Sequence, residues 1–247
     1  VNEFAWASDN NTLYFSGVWH GKTNLYATNL SGEVRQITDE VADYVLLGVH
    51  PQGDKLLAKR HSMSRADEVF FVNIADGKTE QITRENEPFY AHFQFGEVRE
   101  RWIKTTDNKD MLAWVILPPN FDETKKYPTV VYVYGGPHAH NVDARWNYGS
   151  RSWETYMAQK GYILFILDNR GSENRGKEFE QATFRHLGQE EMRDQMCGVE
   201  YLKSLPYVDA DRIGVHGWSY GGFMTISLMT NYPDVFKVGV AGGPVID

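Results

Sequence analysis

The pattern of apolar and polar positions changes once along the chain, close to Tyr127. Residues 1–86 alternate apolar and polar residues between turn-forming residues, which predicts short strands and no helix. From Tyr127 onward, apolar runs typical of strands buried on both faces alternate with helix-like segments. This second pattern predicts a mostly parallel sheet with helices on both faces.

The first part of the chain contains a repeat. Residues 24–38, NLYATNLSGEVRQIT, align with residues 69–83, VFFVNIADGKTEQIT, at a spacing of 45 residues. Gly32 then matches Gly77, and Gln-Ile-Thr ends both segments. A period of about 40–50 residues with four short strands is typical of a β-propeller blade. We therefore predict that residues 1–86 are the C-terminal blades of a β-propeller, with a small β-sandwich as the alternative.

The remaining elements follow from the same patterns. Residues 87–126 are predicted to be a linker and a strand pair that lead into the next domain, and residues 127–247 the N-terminal half of an α/β-hydrolase domain. Strands are predicted at 98–106, 111–117, 129–134, 162–167, 212–216 and 236–241, and helices at 146–159 and 189–204. One stripe of the second helix is predicted to pack in the core: Met192, Met196, Val199 and Leu202.

The second domain is organised around residues 217–221, GWSYG. This sequence fits Gly-x-Ser-x-Gly and lies between a short apolar run and a helix-like stretch. A serine at such a strand–turn–helix corner is typical of the nucleophile elbow of α/β-hydrolases, and glycines on either side avoid collisions with neighbouring elements. We therefore predict that Ser219 is a nucleophile. One face of the helix that follows is predicted to carry Phe223, Ile226 and Met229.

The partners of this serine are incomplete in the sequence. A serine hydroxyl needs a base to take its proton, and in α/β-hydrolases the acid and the histidine follow the serine along the chain. No histidine follows Ser219. Asp247 follows the next predicted strand, but it has no histidine to orient, and His216 is predicted to be a structural residue. The sequence therefore predicts a segment that holds the nucleophile and lacks its base.

An acyl-transfer site also needs hydrogen-bond donors for the oxyanion. The backbone N–H of Tyr220, directly after the serine, is one candidate by the geometry of the elbow. The second is expected from residues 134–136, Tyr-Gly-Gly, which follow a buried strand at the edge where such sheets bind ligands. Either the phenol of Tyr134 or a glycine N–H could donate there.

Composition limits the alternatives. A net charge of −8 argues against a nucleic-acid partner. A single cysteine, Cys197, excludes an internal disulfide. His138 and His140 lack a third ligand at a suitable spacing, and no phosphate- or dinucleotide-binding motif is present, so neither a metal nor a cofactor is predicted.

Several groups of residues together resemble the dipeptidyl peptidase IV branch of the prolyl oligopeptidase family. They are GWSYGG at 217–222, VYGGP at 133–137, DNRGS at 168–172 and RHLG at 185–188, after blade-like repeats. The resemblance implies that Ser219 is the nucleophile and that the Tyr134 hydroxyl and the Tyr220 N–H form the oxyanion hole. It also implies that the Tyr220 ring helps to wall a proline pocket. The acid, the histidine and most of that pocket would lie beyond residue 247, and the glutamates that bind the substrate amine would lie on other propeller segments.

The resemblance implies a serine exopeptidase that releases N-terminal di- or tripeptides after proline through an acyl-enzyme at Ser219. Its substrate would be a peptide with a free N-terminus and a nearby proline, and the intact protein would be an exported homodimer. The 247 residues alone are predicted to be inactive. The alternatives are an acylaminoacyl peptidase or esterase on the same scaffold, and a non-catalytic binding protein that has kept the fold.

Overall fold

The structure, a computed structural model, describes residues 3–146 and 151–246. The chain divides into two compact units. The first, the meander unit, comprises residues 1–94 and 143–151, and the second, the α/β unit, comprises residues 95–142 and 152–247. In the part of the chain that the structure describes, no helix has the length and apolar character needed to cross a membrane.

The meander unit contains two four-stranded antiparallel meanders and one short helix. The strands of the first are β1 (Phe4–Trp6), β2 (Thr12–Trp19), β3 (Lys22–Asn29) and β4 (Val34–Gln36). Those of the second are β5 (Asp43–Val49), β6 (Lys55–Ser62), β7 (Arg65–Asn73) and β8 (Thr79–Gln81), followed by α1 (Glu87–Tyr90). A single parallel pair, Thr23 with Asp43, joins the two meanders. Leu25 of the first and Tyr44, Leu56 and Val72 of the second share one apolar core.

The sequence repeat corresponds to equivalent hydrogen bonds in the two meanders. The Thr38 hydroxyl accepts the N–H of Leu25 across 13 residues, and the Thr83 hydroxyl accepts the N–H of Val69 across 14 residues, both at 2.9 Å. The second repeat is therefore one residue longer, because the turn before β8 contains an extra residue. The ungapped alignment holds for the last strand of each repeat and is wrong by one residue in the strand before it.

The α/β unit is built on one six-stranded sheet with the order β14-β13-β11-β12-β10-β9. Its strands are β9 (Val98–Lys104), β10 (Asp110–Ile116), β11 (Tyr127–Tyr132), β12 (Ile163–Asp168), β13 (Val208–Trp218) and β14 (Phe236–Gly242). Its helices are α2 (Arg151–Gln159), α3 (Lys177–Glu180), α4 (Glu190–Ser204) and α5 (Tyr220–Asn231). β9 and β10 form an antiparallel hairpin at one edge, and β11 to β14 run parallel.

The helix predicted at 146–159 is described from Arg151 to Gln159. Trp146 lies in a turn, and residues 147–150 lie outside the described part of the chain. The predicted apolar face of α5 is wrong at Ile226, which is 40% exposed, whereas Met224 and Leu228 are fully buried. A spacing of three residues falls short of the roughly 3.6-residue helical turn and drifts around the helix, while a spacing of four keeps Met224 and Leu228 on one face.

The buried face of α4 is only partly the predicted one. Val199 and Leu202 are buried in the core of the α/β unit, and Met192 and Met196 pack at its margin. The N-terminal half of the same face is polar, and its members are completely buried: Glu191, Asp194 and Gln195. Buried polar groups generally form hydrogen bonds. The N-terminal half of α4 is therefore held by hydrogen bonds as well as by apolar packing.

Candidate active site

Ser219 occupies the corner between β13, which ends at Trp218, and α5, which begins at Tyr220. Its φ of 58° and ψ of −118° lie in a region that L-residues rarely adopt, at a cost of about 1–3 kcal/mol. The Ser219 N–H donates to the carbonyl of Gly242 at 2.8 Å, and the Ser219 carbonyl accepts the N–H of Gly222 at 2.9 Å. These bonds fix the strained residue at the carboxyl end of the parallel strands, the edge at which such sheets bind ligands.

The glycines on either side of the corner have a steric reason. A Cβ atom on Gly217 or on Gly221 would overlap the carbonyl oxygen of Val133, which follows β11. On Gly217 it would also overlap the carbonyl of Gly221 at the start of the helix. The close approach of the neighbouring strand therefore explains why residues 217 and 221 are glycines.

Tyr134, after β11, and Tyr220, the first residue of α5, have ring centroids 6.1 Å apart. Gly136 packs against both rings, since a Cβ built there would lie 2.9 Å from ring atoms of each. Helix geometry leaves the Tyr220 N–H, at the first position of α5, without an intrahelical acceptor. The positive end of the helix dipole lies at the same place. The structure thus brings together the three predicted site residues: Ser219, Tyr134 and Tyr220.

The phenol of Tyr220 is already engaged. It donates to Oε1 of Glu191 at 2.7 Å. Burial and this carboxylate together raise the pKa of Tyr220 well above its usual range, so the ring stays neutral and its proton stays on the bond to Glu191. The backbone N–H is therefore the hydrogen-bond donor of Tyr220 that remains available to a ligand at the corner.

A chain of buried amides holds the loop that carries Tyr134. The side-chain Nδ2 of Asn169 donates to the carbonyl of Gly135 at 3.1 Å, and the Nε2 of Gln195 donates to Oδ1 of Asn169 at 2.9 Å. Asn169 and Gln195 are both buried. Gly135 needs its freedom from a Cβ, because its φ is 74°. The position of the loop is therefore set by α4 through Asn169.

A neighbouring ion-pair network surrounds Arg170. Oδ2 of Asp194 accepts the Arg170 backbone N–H at 2.9 Å, and Oδ1 accepts the guanidinium at 2.8 Å. Glu190 and Asp107 also pair with the guanidinium, at 3.0 and 3.2 Å. Burial raises the pKa of Asp194 in spite of its bonds to Arg170. The network lies beside the site and matches a structural role for the segment that contains Arg170.

Sequence reasoning missed three buried polar side chains of α4 at or beside this site: Glu191, Asp194 and Gln195. Polar residues three and four positions apart on a helix usually indicate a solvent-facing surface, so their charge pattern gave no signal of burial. A usable signal exists in their place on the helix, because Gln195 lies four residues before the buried Val199, and Glu191 lies four residues before Gln195, on the same face.

The other candidates lie apart from the corner or have structural partners. Nδ1 of His216 lies 2.9 Å from the carbonyl of Val240. His138 pairs with Glu180 and His140 with Asp168, so the two histidines face different carboxylates. Among residues 3–146 and 151–246, no group of three or more potential ligands has a geometry suited to a metal ion. Asp247 lies outside the described residues.

Comparisons with known proteins agree with this geometry. Residues 149–247 match the model of the prolyl oligopeptidase family. Dipeptidyl-peptidase 5 of Porphyromonas gingivalis is 36% identical over 243 residues, which cover 98% of this chain and 35% of that protein. The crystal structure of Porphyromonas gingivalis dipeptidyl peptidase 4 superposes with a TM-score of 0.78 at 27% identity, covering 100% of this chain and 35% of that one. The Pyrococcus horikoshii acylaminoacyl peptidase gives a TM-score of 0.78 at 28% identity, covering 96% and 36%.

The α/β unit accordingly has the architecture of an α/β-hydrolase domain, as predicted. The chain spans about a third of the length of the curated relatives it matches. The predicted resemblance to the dipeptidyl peptidase branch is confirmed by the family match and by these relatives.

Proposed function

Because residues 149–247 match the model of the prolyl oligopeptidase family, we propose that this chain carries the nucleophile of a serine exopeptidase. The enzyme releases N-terminal di- or tripeptides after proline. The observation that carries the proposal is the backbone of Ser219, held at a φ of 58° between a strand and the N-terminus of a helix. A strained backbone at the serine of a strand–turn–helix corner is typical of a reactive site.

In the proposed reaction, the Ser219 oxygen attacks the carbonyl carbon of the substrate proline. The carbonyl oxygen becomes an oxyanion, which accepts hydrogen bonds from the Tyr220 N–H and the Tyr134 phenol. The C–N bond then breaks, the C-terminal part of the peptide leaves as an amine with the proton taken from Ser219, and the N-terminal part remains as an ester on Ser219. Water hydrolyses the ester and regenerates the serine. The Tyr220 ring forms part of the wall around the proline.

The proton carrier of this reaction is proposed to be a histidine outside these 247 residues, since the sequence has none after Ser219. The isolated 247-residue chain is therefore expected to hydrolyse no prolyl peptide. Turnover by that chain that disappears in Ser219→Ala would mean that the base has been assigned to the wrong place.

We also propose that the two meanders are blades of a β-propeller, with the residues that bind the substrate amine on other blades. The proposal is supported by the equivalent Thr38 and Thr83 hydrogen bonds and by the apolar core that the meanders share. It accounts for an exopeptidase, because a ring of blades would provide a restricted space for a short free N-terminus.

The test uses the full-length protein and matched chromogenic peptides that end in proline, with the N-terminal amine either free or acetylated. We expect hydrolysis of the free peptides, little of the acetylated ones, and none in Ser219→Ala. Ser227→Ala, on α5 and away from the corner, serves as the control and keeps activity. Preference for acetylated peptides would instead identify an acylaminoacyl peptidase, and full turnover in Ser219→Ala would reject the nucleophile.

A further inference from the structure

Glu191, the second residue of α4, is completely buried, which is unusual for a carboxylate. It is 0% exposed, and Oε1 accepts the Tyr220 phenol at 2.7 Å. Oε2 is buried without a hydrogen-bond partner in the part of the chain that the structure describes. Burying a carboxyl group with one oxygen unsatisfied opposes folding. The contact with Tyr220 is therefore retained at a cost, and it links α4 directly to the residue after Ser219.

The Tyr220 ring has few ways to move while this contact is intact. Its hydroxyl end is bound by Glu191, its other end packs against Gly136, and the Phe223 ring meets it edge-on with centroids 5.2 Å apart. Tyr220 is also the first residue of α5. A ring held at both ends restrains the position of the Tyr220 Cα to which it is attached, and with it the backbone segment that carries the Tyr220 N–H.

Glu191 also determines which phenol can serve the reaction. The rings of Tyr134 and Tyr220 lie 6.1 Å apart. The Tyr220 hydroxyl, bound to a buried carboxylate, has no proton left to offer an oxyanion. The phenol that remains for that role is the one on Tyr134. The Glu191 carboxylate thus makes the two tyrosines differ: the Tyr220 phenol is bound, and the Tyr134 phenol is left as a donor.

We propose that Glu191 is a positioning residue for the oxyanion site: by binding the Tyr220 phenol it holds Tyr220, and with it the Tyr220 N–H, in place and leaves Tyr134 as the phenolic donor. The proposal rests on the proposed function of Ser219. Glu191 acts through Tyr220 and touches neither the substrate nor the reacting atoms.

The test compares Glu191→Leu and Glu191→Gln with wild type in the full-length protein. The glutamine keeps an oxygen that can accept the phenol, and the leucine does not. Glu200→Leu and Glu200→Gln, at an exposed position on the same helix, are the matched controls. The readouts are kcat, KM and the second-order rate at which a fluorophosphonate labels Ser219, each corrected for the folded fraction.

Glu191→Leu is expected to lower kcat and the labelling rate by about tenfold, with KM within about threefold, because one orienting hydrogen bond is lost. Glu191→Gln is expected to stay within about threefold of wild type. Tyr220→Phe removes only the phenol. It should slow labelling as Glu191→Leu does, and the double variant should be no slower than the slower single variant.

Three results would overturn the proposal: wild-type labelling in folded Glu191→Leu, wild-type labelling in Tyr220→Phe, or fully additive losses in the double variant. If Glu191→Leu does not fold, Tyr220→Phe and Glu191→Gln decide the question. The labelling assay needs no peptide specificity. A wild-type protein that is labelled but cleaves no prolyl peptide would reject the proposed function. The labelling rates of the Glu191 and Tyr220 variants would then still decide the role of Glu191. A wild-type protein that is not labelled would reject both.

Discussion

The side-chain amide of Asn169 donates a hydrogen bond of 3.1 Å to the carbonyl oxygen of Gly135. This bond joins the residue after β12 to the loop after β11, which carries Tyr134. Asn169 is 1% exposed and receives its own hydrogen bond from Gln195, so the contact is buried along its whole length. The loop beside Ser219 is therefore held by an amide chain that begins on α4.

Removing this amide is expected to affect both stability and catalysis. Asn169→Ala removes the side-chain donor to the Gly135 carbonyl and one of the two acceptors of the Gln195 amide, whose bond to the Leu167 carbonyl remains. The loss should reduce the free energy of unfolding by about 1–3 kcal/mol. It should also lower kcat, since Tyr134 would lose its support. Asn231→Ala removes an exposed amide from α5 and should change stability by less than about 0.5 kcal/mol. Urea unfolding of the two variants checks the difference; equal stabilities would argue against the amide chain.

A methyl group at Gly221 should disturb the corner around Ser219. In Gly221→Ala the new Cβ meets the Val133 carbonyl, so the strand or the helix must shift. We expect a loss of about 1–3 kcal/mol of unfolding free energy and a marked fall in the rate of Ser219 labelling. Gly48→Ala places its Cβ in open space, so it should change stability by no more than about 1 kcal/mol. A Gly221→Ala protein as stable and as reactive as wild type would contradict the packing described here.

Loss of the Tyr134 hydroxyl should slow the chemical step. If this phenol donates to the oxyanion, Tyr134→Phe should reduce kcat by about 10²–10³ while KM changes little. Tyr132→Phe, in the preceding strand, removes the same atom at a position outside the corner and serves as the control. Steady-state kinetics on the full-length protein measure both. A loss of less than about threefold in Tyr134→Phe would remove the tyrosine from the oxyanion site.

The meander unit should lose stability as the pH rises through the titration of His61. Its ring nitrogens lie 2.9 Å from Asp43 and 2.5 Å from Asp67, which also pairs with Lys59. Burial lowers the pKa of His61, but the two carboxylates outweigh it and raise the pKa above its ordinary value of 6.5. A raised pKa in the folded state means that the stabilisation is complete below about pH 6.5 and is lost as the pH passes the folded value.

The corresponding variant is His61→Gln. Thermal unfolding should show a larger deficit in Tm, relative to wild type, at about pH 5.5 than at about pH 9. A deficit that does not depend on pH, or one that grows with pH, would show that the imidazolium form does not stabilise the fold.

The corner at Ser219 could be predicted from the sequence because its requirements are local. Glycines at 217 and 221, an apolar run before and a helix after follow from sterics and periodicity over a few residues. The partners of α4 could not be predicted in the same way. Glu191 accepts a hydrogen bond from Tyr220, 29 residues away, and Gln195 donates one to Asn169, 26 residues away. Both bonds depend on how α4 packs on the sheet.

The repeat in the meander unit shows the same limit at a finer scale. Matching Gln-Ile-Thr endings located the last strands correctly, because those residues make equivalent bonds in both repeats. A one-residue difference in a turn has no strong sequence signature. An alignment that ignores it pairs each residue of the preceding strand with a residue that points to the opposite face. The hydrogen bonds of Leu25 and Val69 show the correct pairing.

The identity of the residue that reacts with a fluorophosphonate tests the central claim most directly. After the full-length protein is labelled and digested, mass spectrometry should find the phosphonyl adduct on the peptide that contains Ser219, and Ser219→Ala should carry none. An adduct on another serine, or unchanged labelling in Ser219→Ala, would contradict the assignment of Ser219 as the nucleophile.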